Sequence, residues 1–230
     1  MVRMAAEHGT TDIVATPHAS PTYSFDPEVN RDRLAQIEEA AGGALRLHTG
    51  CDFHLSFDNI QDALEHPTKY TIDHKNYLMV EFSDLLVFHN TGEIFDRLLN
   101  AGMIPVITHP ERNPLLRQRI EKITEWVAAG TRLQVTAQSL TGRFGKRAEA
   151  FSKTLLDANL VHVIASDGHD VVHRPPVMDE AFAWLSEHYS AATAELLCRK
   201  NPGAALSGEK MVAPEAAPKP SKSGWLRFFR

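Results

Sequence analysis

The sequence predicts an α/β fold built on a parallel sheet. Two observations carry this. Six short, β-rich apolar stretches alternate with segments of helical periodicity, and the distances between stretches suit the long crossovers that parallel neighbours need and hairpins do not. The strongest strand candidates also end beside histidine or a carboxylate, which places candidate chemistry at one edge of the sheet.

The chain opens on "MVRMAAEHG", an amphipathic segment stopped by Gly9. The first unit therefore has a helix with no strand before it. Residues 12–15 (DIVA) form the first strand and lead into "TPHAS", a polar loop that opens with proline and histidine. Residues 27–41 (PEVNRDRLAQIEEAA) read as a helix, because Pro27 suits the first turn and Gly42 with Gly43 stops it. Strands follow at 45–49 (LRLHT), 77–81 (YLMVE) and 104–108 (IPVIT). A helix over 115–129 ends at Gly130, and a strand at 132–136 (RLQVT) follows it. The helix at 146–158 sets Phe151, Leu155 and Ala158 along one stripe before the last strand, 161–165 (VHVIA). Residues 1–212 read as one domain, and 213–230 as a flexible basic and aromatic tail, "APEAAPKPSKSG" leading to "WLRFFR". Periodicity alone leaves an open doubly wound sheet and a closed barrel equally admissible.

Composition narrows the class. Of 230 residues, 43% are apolar and 23% charged, and no uninterrupted apolar run approaches the length of a membrane span. This reads as a soluble, cytoplasmic protein with at most a peripheral membrane contact through its tail. A formal charge of −5 argues against nucleic acid as the main partner. Cys51 and Cys198 are too few for a disulfide framework. A cysteine-based tyrosine phosphatase needs an arginine six residues past its nucleophile, and Phe57 and Ala204 stand there instead. Neither a complete P-loop nor a Gly-x-Ser-x-Gly elbow is present.

The chemistry collects at strand ends. His18 follows the first strand, Asp52 the second, Glu81 closes the third, His109 follows the fourth, and Asp167 with His169 follows the sixth. Imidazoles and carboxylates without thiolate suit zinc, iron or manganese, and several carboxylates favour the harder ions. Glu81 ends an apolar strand, where a carboxylate must be coordinated or salt-bridged to an arginine. In "VITHPERNP", Arg112 beside His109 offers a planar guanidinium for phosphate oxygens. Such a cluster points to metal-assisted hydrolysis of a phosphate or related ester. The other histidines, including His48, His74 and His162, read as surface or strand positions.

With "ATPHAS", "TGCDFHLS", "LMVEFS", "THPERN" and "ASDGHD" in this order, the chain resembles the polymerase and histidinol phosphatase (PHP) superfamily. Within it the sequence is similar to the bacterial manganese-dependent protein tyrosine phosphatases of capsule and exopolysaccharide gene clusters, and "QSLTGRFG" and "NPGAALSGE" extend the likeness across roughly residues 1–210. The resemblance implies a distorted parallel (β/α)7 TIM-like barrel. It implies two or three bound ions, manganese foremost with iron or zinc as alternatives. His18, Asp52, Glu81, His109, Asp167 and His169 would be ligands, with Glu81 bridging two ions and Arg112 binding the phosphate. Catalysis would rest on Arg112, Glu81 and Asp167 around a metal-activated water. The implied substrate and partner is a phosphotyrosine-bearing bacterial tyrosine autokinase that controls polysaccharide synthesis. Small-molecule phosphomonoester hydrolysis of the histidinol-phosphate type is an alternative. Many members of the family it resembles carry glutamate where Asp52 stands, and the family has a first strand ending in His-x-His. This chain shows no such strand, so an N-terminally incomplete barrel is expected, either because the chain starts at an internal methionine of a longer protein or because it is a catalytically impaired form that only binds phosphorylated partners.

Overall fold

The computed structural model describes residues 1–214; the expected tail, from residue 215 onward, lies outside them. Helix α1 (Val2–Glu7) precedes a strand that comes in two pieces, β1 (Asp12–Ala15) and β2 (His18–Ala19). After α2 (Pro27–Ala41) a second broken strand follows as β3 (Arg46–Thr49) and β4 (Asp52–His54), and then α3 (Phe57–Glu65). Strand β5 (Tyr77–Glu81), α4 (Thr91–Asn100), β6 (Ile104–Ile107), α5 (Ile120–Ala129) and β7 (Arg132–Thr136) continue the alternation. Two helices, α6 (Ala137–Leu140) and α7 (Lys146–Asp157), lead to β8 (Val163–Ala165). The C-terminal part is helical, with α8 (Asp179–His188), α9 (Ala191–Glu195), a π-helical turn at Leu196–Lys200, and α10 (Asn201–Ser207).

All strand pairs are parallel. β1 and β3 pair as a two-stranded sheet, and a second sheet of six strands runs in the order β2-β4-β5-β6-β7-β8. The two breaks have local causes. Pro17 has no N–H to continue a ladder, yet its carbonyl accepts the Asp52 N–H at 3.0 Å, so pairing resumes one step later. At Gly50 an added Cβ would lie 2.6 Å from Val14 Cγ1, so only glycine lets the second strand jog past the first.

Because side chains alternate across a strand, the register sorts residues onto two faces. Leu78, Val80, Ile107, Leu133, Val135 and Ile164 point outward into the main core with the helices. The other face carries Val14, Met79, Val106, Val163 and Ala165, which gather with Ile72, Tyr77 and Met211 into a smaller apolar cluster. That inner face lines a cavity of about 1470 Å³. Among the described residues β1 and β8 are not paired with each other, and Ile13, Val14, Val163 and Ile164 all border this cavity. The parallel curved α/β architecture matches the expectation, including the helix that precedes the first strand.

Helix ends follow local chemistry. Asp26 caps α2 by accepting the Glu28 and Val29 N–H groups at 3.0 and 3.1 Å, and Gly42 closes it in the left-handed region. The expected helix at 115–129 is shorter: a 3₁₀ turn at Leu116–Gln118 comes first and α5 starts at Ile120. Asn113 Oδ1 accepts the Leu115 and Leu116 N–H groups, which makes a turn of the start of that segment.

Polar groups tie the C-terminal segment to the sheet. The buried Tyr77 hydroxyl donates to Glu209 O at 2.7 Å and accepts from Met211 N at 3.0 Å. Asn201 Nδ2 donates to the carbonyls of His162 and Val212. His162, expected as a surface or strand position, is buried just before β8; burial pushes its imidazole down to about 4 from 6.5. Replacing Tyr77 with Phe should cost about 1–2 kcal/mol, because two backbone groups lose their partner, read as a lower urea midpoint with unchanged slope. For His162 the unfolded chain binds more protons than the folded one between pH 6.5 and 4, so its contribution is present above pH 6.5 and is lost as pH falls through that window. A contribution of about 2–3 kcal/mol is expected. His162→Asn should flatten the pH dependence of stability in that window, measured by urea titration at each pH.

Candidate metal centre

Register brings the strand-end residues together. His18 pairs with Asp52, Asp52 with Met79, and His54 with Glu81, which places all of these side chains on the inner face at the C-terminal edge. The sequence suggested a loop after the first strand. Instead His18 begins β2 and Asp52 begins β4, each just past its strand's break. Asn59 at the start of α3 holds the two short strands in place, since its Nδ2 donates to Ala19 O at 2.8 Å and His54 O at 2.9 Å.

One ligand atom each from His18, Asp52 and Glu81 lies within 4.8 Å of the others. His18 Nδ1 is 3.3 Å from both Asp52 Oδ2 and Glu81 Oε2. His109 Nε2 stands 4.0 Å from Asp52 Oδ2 and 3.8 Å from Glu81 Oε1. Among the described residues Glu81 forms no salt bridge to an arginine, the pairing that would have explained it otherwise. Among the described residues Asp52 Oδ1 is buried without a hydrogen-bond partner, as is His54 Nδ1 two residues on along the same strand.

The electrostatics match this crowding. Burial first, and then the charges of Glu81 and Asp167, push the Asp52 carboxyl up to about 8. His109 is pushed down to about 4, by burial and then by Arg112, so its imidazole is neutral at pH 7 and its Nε2 lone pair can serve as a ligand. An unpartnered carboxylate oxygen, a second carboxylate and two imidazoles converging on one point form the donor set that a hard or borderline divalent cation takes. The residues present fit such an ion.

Asp167 and His169 sit differently. Asp167 Oδ2 accepts from Arg112 Nη1 and from Arg174 Nη2. Both guanidinium groups lie over the Phe144 ring, at 4.5 Å for Arg112 and 5.7 Å for Arg174. His169 is more exposed; its Nδ1 lies 2.9 Å from the Asp167 carbonyl oxygen and 3.8 Å from Asp167 Oδ1. It stands at the rim and is not one of the three convergent ligands. Gly168 permits this loop, because an added Cβ there would meet the Pro176 backbone at 2.9 Å. Arg174 and Phe144 are site residues that sequence reasoning missed. An arginine in "DVVHRPP" has no local signal, and only tertiary structure sets it opposite Arg112.

The loop carrying His109 and Arg112 is held from both sides. Glu111 is fully buried, and its Oε1 accepts from Thr136 N at 3.1 Å and Ser139 Oγ at 2.7 Å, which joins the loop to the start of α6. Asn113 Nδ2 donates to Phe82 O and Ser83 O just past Glu81. Cys51, beside Asp52, is buried, and burial raises its thiol far above the ordinary range; Cys198 is pushed up to about 12 for the same reason. Neither thiol is an activated nucleophile.

Residues 1–207 match the family described as capsular polysaccharide synthesis, CpsB/CapC. CapC of Staphylococcus aureus is 33% identical over 186 residues, covering 79% of this chain and 72% of that protein. The tyrosine-protein phosphatase YwqE of Bacillus subtilis is 31% identical over 210 residues, covering 86% of this chain and 82% of that one. The fold also superposes on a crystal structure from the pair YwqE of Bacillus subtilis and CpsB of Streptococcus pneumoniae, metal-dependent tyrosine phosphatases, with a TM-score of 0.86, 29% identity, and 94% of this chain and 88% of that chain covered. Matched along nearly its whole described length and in its fold, this chain belongs to the CpsB/CapC family of capsular polysaccharide synthesis.

Proposed function

We propose that the chain hydrolyses phosphotyrosine on protein substrates in a metal-dependent reaction. The observation that carries the reading is the convergence of His18, Asp52 and Glu81 beside a paired Arg112 and Arg174. The metal-dependent tyrosine phosphatases that share its fold support it. Manganese is the ion proposed, held by His18, Asp52, Glu81 and His109, with Asp167 and His169 completing the set; the carboxylate-rich donors support this choice. Bound there, divalent ions would lower the pKa of a water and offset phosphate charge.

The chain's own residues supply the rest. Arg112 and Arg174 present planar N–H forks next to the ligand group, the geometry that pairs bidentately with phosphate oxygens. Phe144 and Asp167 orient both guanidinium groups before substrate arrives, so little side-chain freedom is lost on binding. Glu111 and Asn113 fix the loop that carries His109 and Arg112, so their spacing is set by the scaffold. The substrate proposed is a phosphotyrosine-bearing tyrosine autokinase that controls polysaccharide synthesis, met in the cytoplasm. None of the described helices is long and apolar enough to cross a membrane.

Phosphate release from a tyrosine-phosphorylated peptide should require manganese and stop on addition of chelator. Asp167→Ala should abolish release. Arg112→Ala should lower kcat/KM about 100-fold, the scale of losing one preorganised charge-stabilising donor. Calorimetric titration with manganese separates the two roles: Asp52→Asn should lose the binding heat, while Arg112→Ala keeps it. Equal activity in all three variants, or turnover unaffected by chelator, would overturn the assignment.

A further inference from the structure

We propose that Tyr23 determines substrate specificity, its ring acting as the platform that receives the aromatic ring of an aryl phosphate bound at the His18, Asp52 and Glu81 group. This inference rests on the phosphatase reading and names how that site separates aryl from alkyl esters.

Tyr23 stacks on His18, with ring centroids 5.9 Å apart and planes inclined by 27°. The residue is nevertheless 61% exposed, so most of its surface remains open beside the site. His18 turns its Nδ1 toward the two carboxylates, and its ring passes directly into that of Tyr23. The two rings therefore make a continuous aromatic wall from the phosphate-binding end outward.

The wall is held in place. Ser20 N and Tyr23 N each donate to the other residue's carbonyl at 3.1 Å, and Ser20 Oγ accepts from Thr22 N and Tyr23 N at 3.3 and 3.2 Å. A four-residue turn closed in this way fixes the Tyr23 backbone directly after β2. An exposed tyrosine whose backbone is fixed, and whose side chain has only two rotatable bonds, costs little further entropy when a ligand ring settles on it.

Ester chemistry supplies the rest. In an aryl phosphate the ring begins one oxygen from phosphorus, so a phosphate at the carboxylate group brings the ring against the adjoining wall. Alkyl phosphates place a narrow, flexible methylene there, with no π-face to stack. Other exposed apolar side chains follow the strands, Leu85 and Val172 on loops and Phe57 at the start of α3. Tyr23 differs in that it touches a residue of the ligand group.

The test uses two phosphopeptides of one sequence, carrying phosphotyrosine or phosphoserine, with the manganese-loaded chain. The wild type should prefer phosphotyrosine. In Tyr23→Ala the ratio of kcat/KM values, phosphotyrosine over phosphoserine, should fall about fivefold through KM, the worth of one aromatic contact. Tyr23→Phe should keep the ratio. A parallel loss on both peptides would mean that Tyr23 only supports His18, and an unchanged ratio would mean that it takes no part; either overturns the proposal. Release from neither peptide by the wild type would overturn the phosphatase reading itself, and calorimetric binding of the same peptides then decides the platform. Tighter phosphotyrosine binding that Tyr23→Ala abolishes would sustain it, and equal or undetectable binding of both would overturn it.

Discussion

Two carboxylates on adjacent parallel strands, Asp52 and Glu81, face the same side of the sheet, and the rest of the site answers to their proximity. Asp52 is buried, and its Oδ1 has no hydrogen-bond partner among the described residues. Ionising it beside Glu81 and Asp167 is costly, and the carboxyl holds its proton to about 8 in consequence. Either a proton or a cation must balance this group. The sheet enforces the arrangement, because slipping the register by one residue would turn the acids outward and the apolar side chains inward. Core packing of the helices against the opposite face keeps that register, so stability and chemistry share one constraint.

The counter-charges are organised as carefully as the acids. Arg112 and Arg174 converge on Asp167 and share the Phe144 ring. Positive and negative groups therefore stand side by side around Asp167, with guanidinium on one flank of the acids. Glu111 does the complementary task below the surface, spending its buried carboxylate oxygen on the start of α6 and so keeping the arginine loop at fixed height.

Strand periodicity and strand-end residue types made much of this readable in the chain. DIVA, YLMVE and RLQVT stand where expected, and the acids and histidines after the strands do share an edge. The strand bounds at 15 and 49 stop short of Pro17 and Gly50, and only the pairing across each break shows β2 and β4 resuming beyond. The sequence reading bounds no helix at α3, although Ser56 caps it by accepting from Asn59 N and its apolar residues fall on one face. Arg174 and Phe144 were invisible for a different reason. Their role comes from contact between loops far apart in sequence, which no local pattern encodes.

The protonated thiols have a consequence outside the site's own chemistry. Cys51 lies next to Asp52, yet burial and that neighbouring carboxyl both hold it as the thiol, and Cys198 is likewise held up at about 12. Peroxide and alkylating reagents attack thiolates. A site of imidazole and carboxylate, with Cys51 in the core and Cys198 half-buried and both held as thiols, therefore presents no thiolate for such reagents to attack.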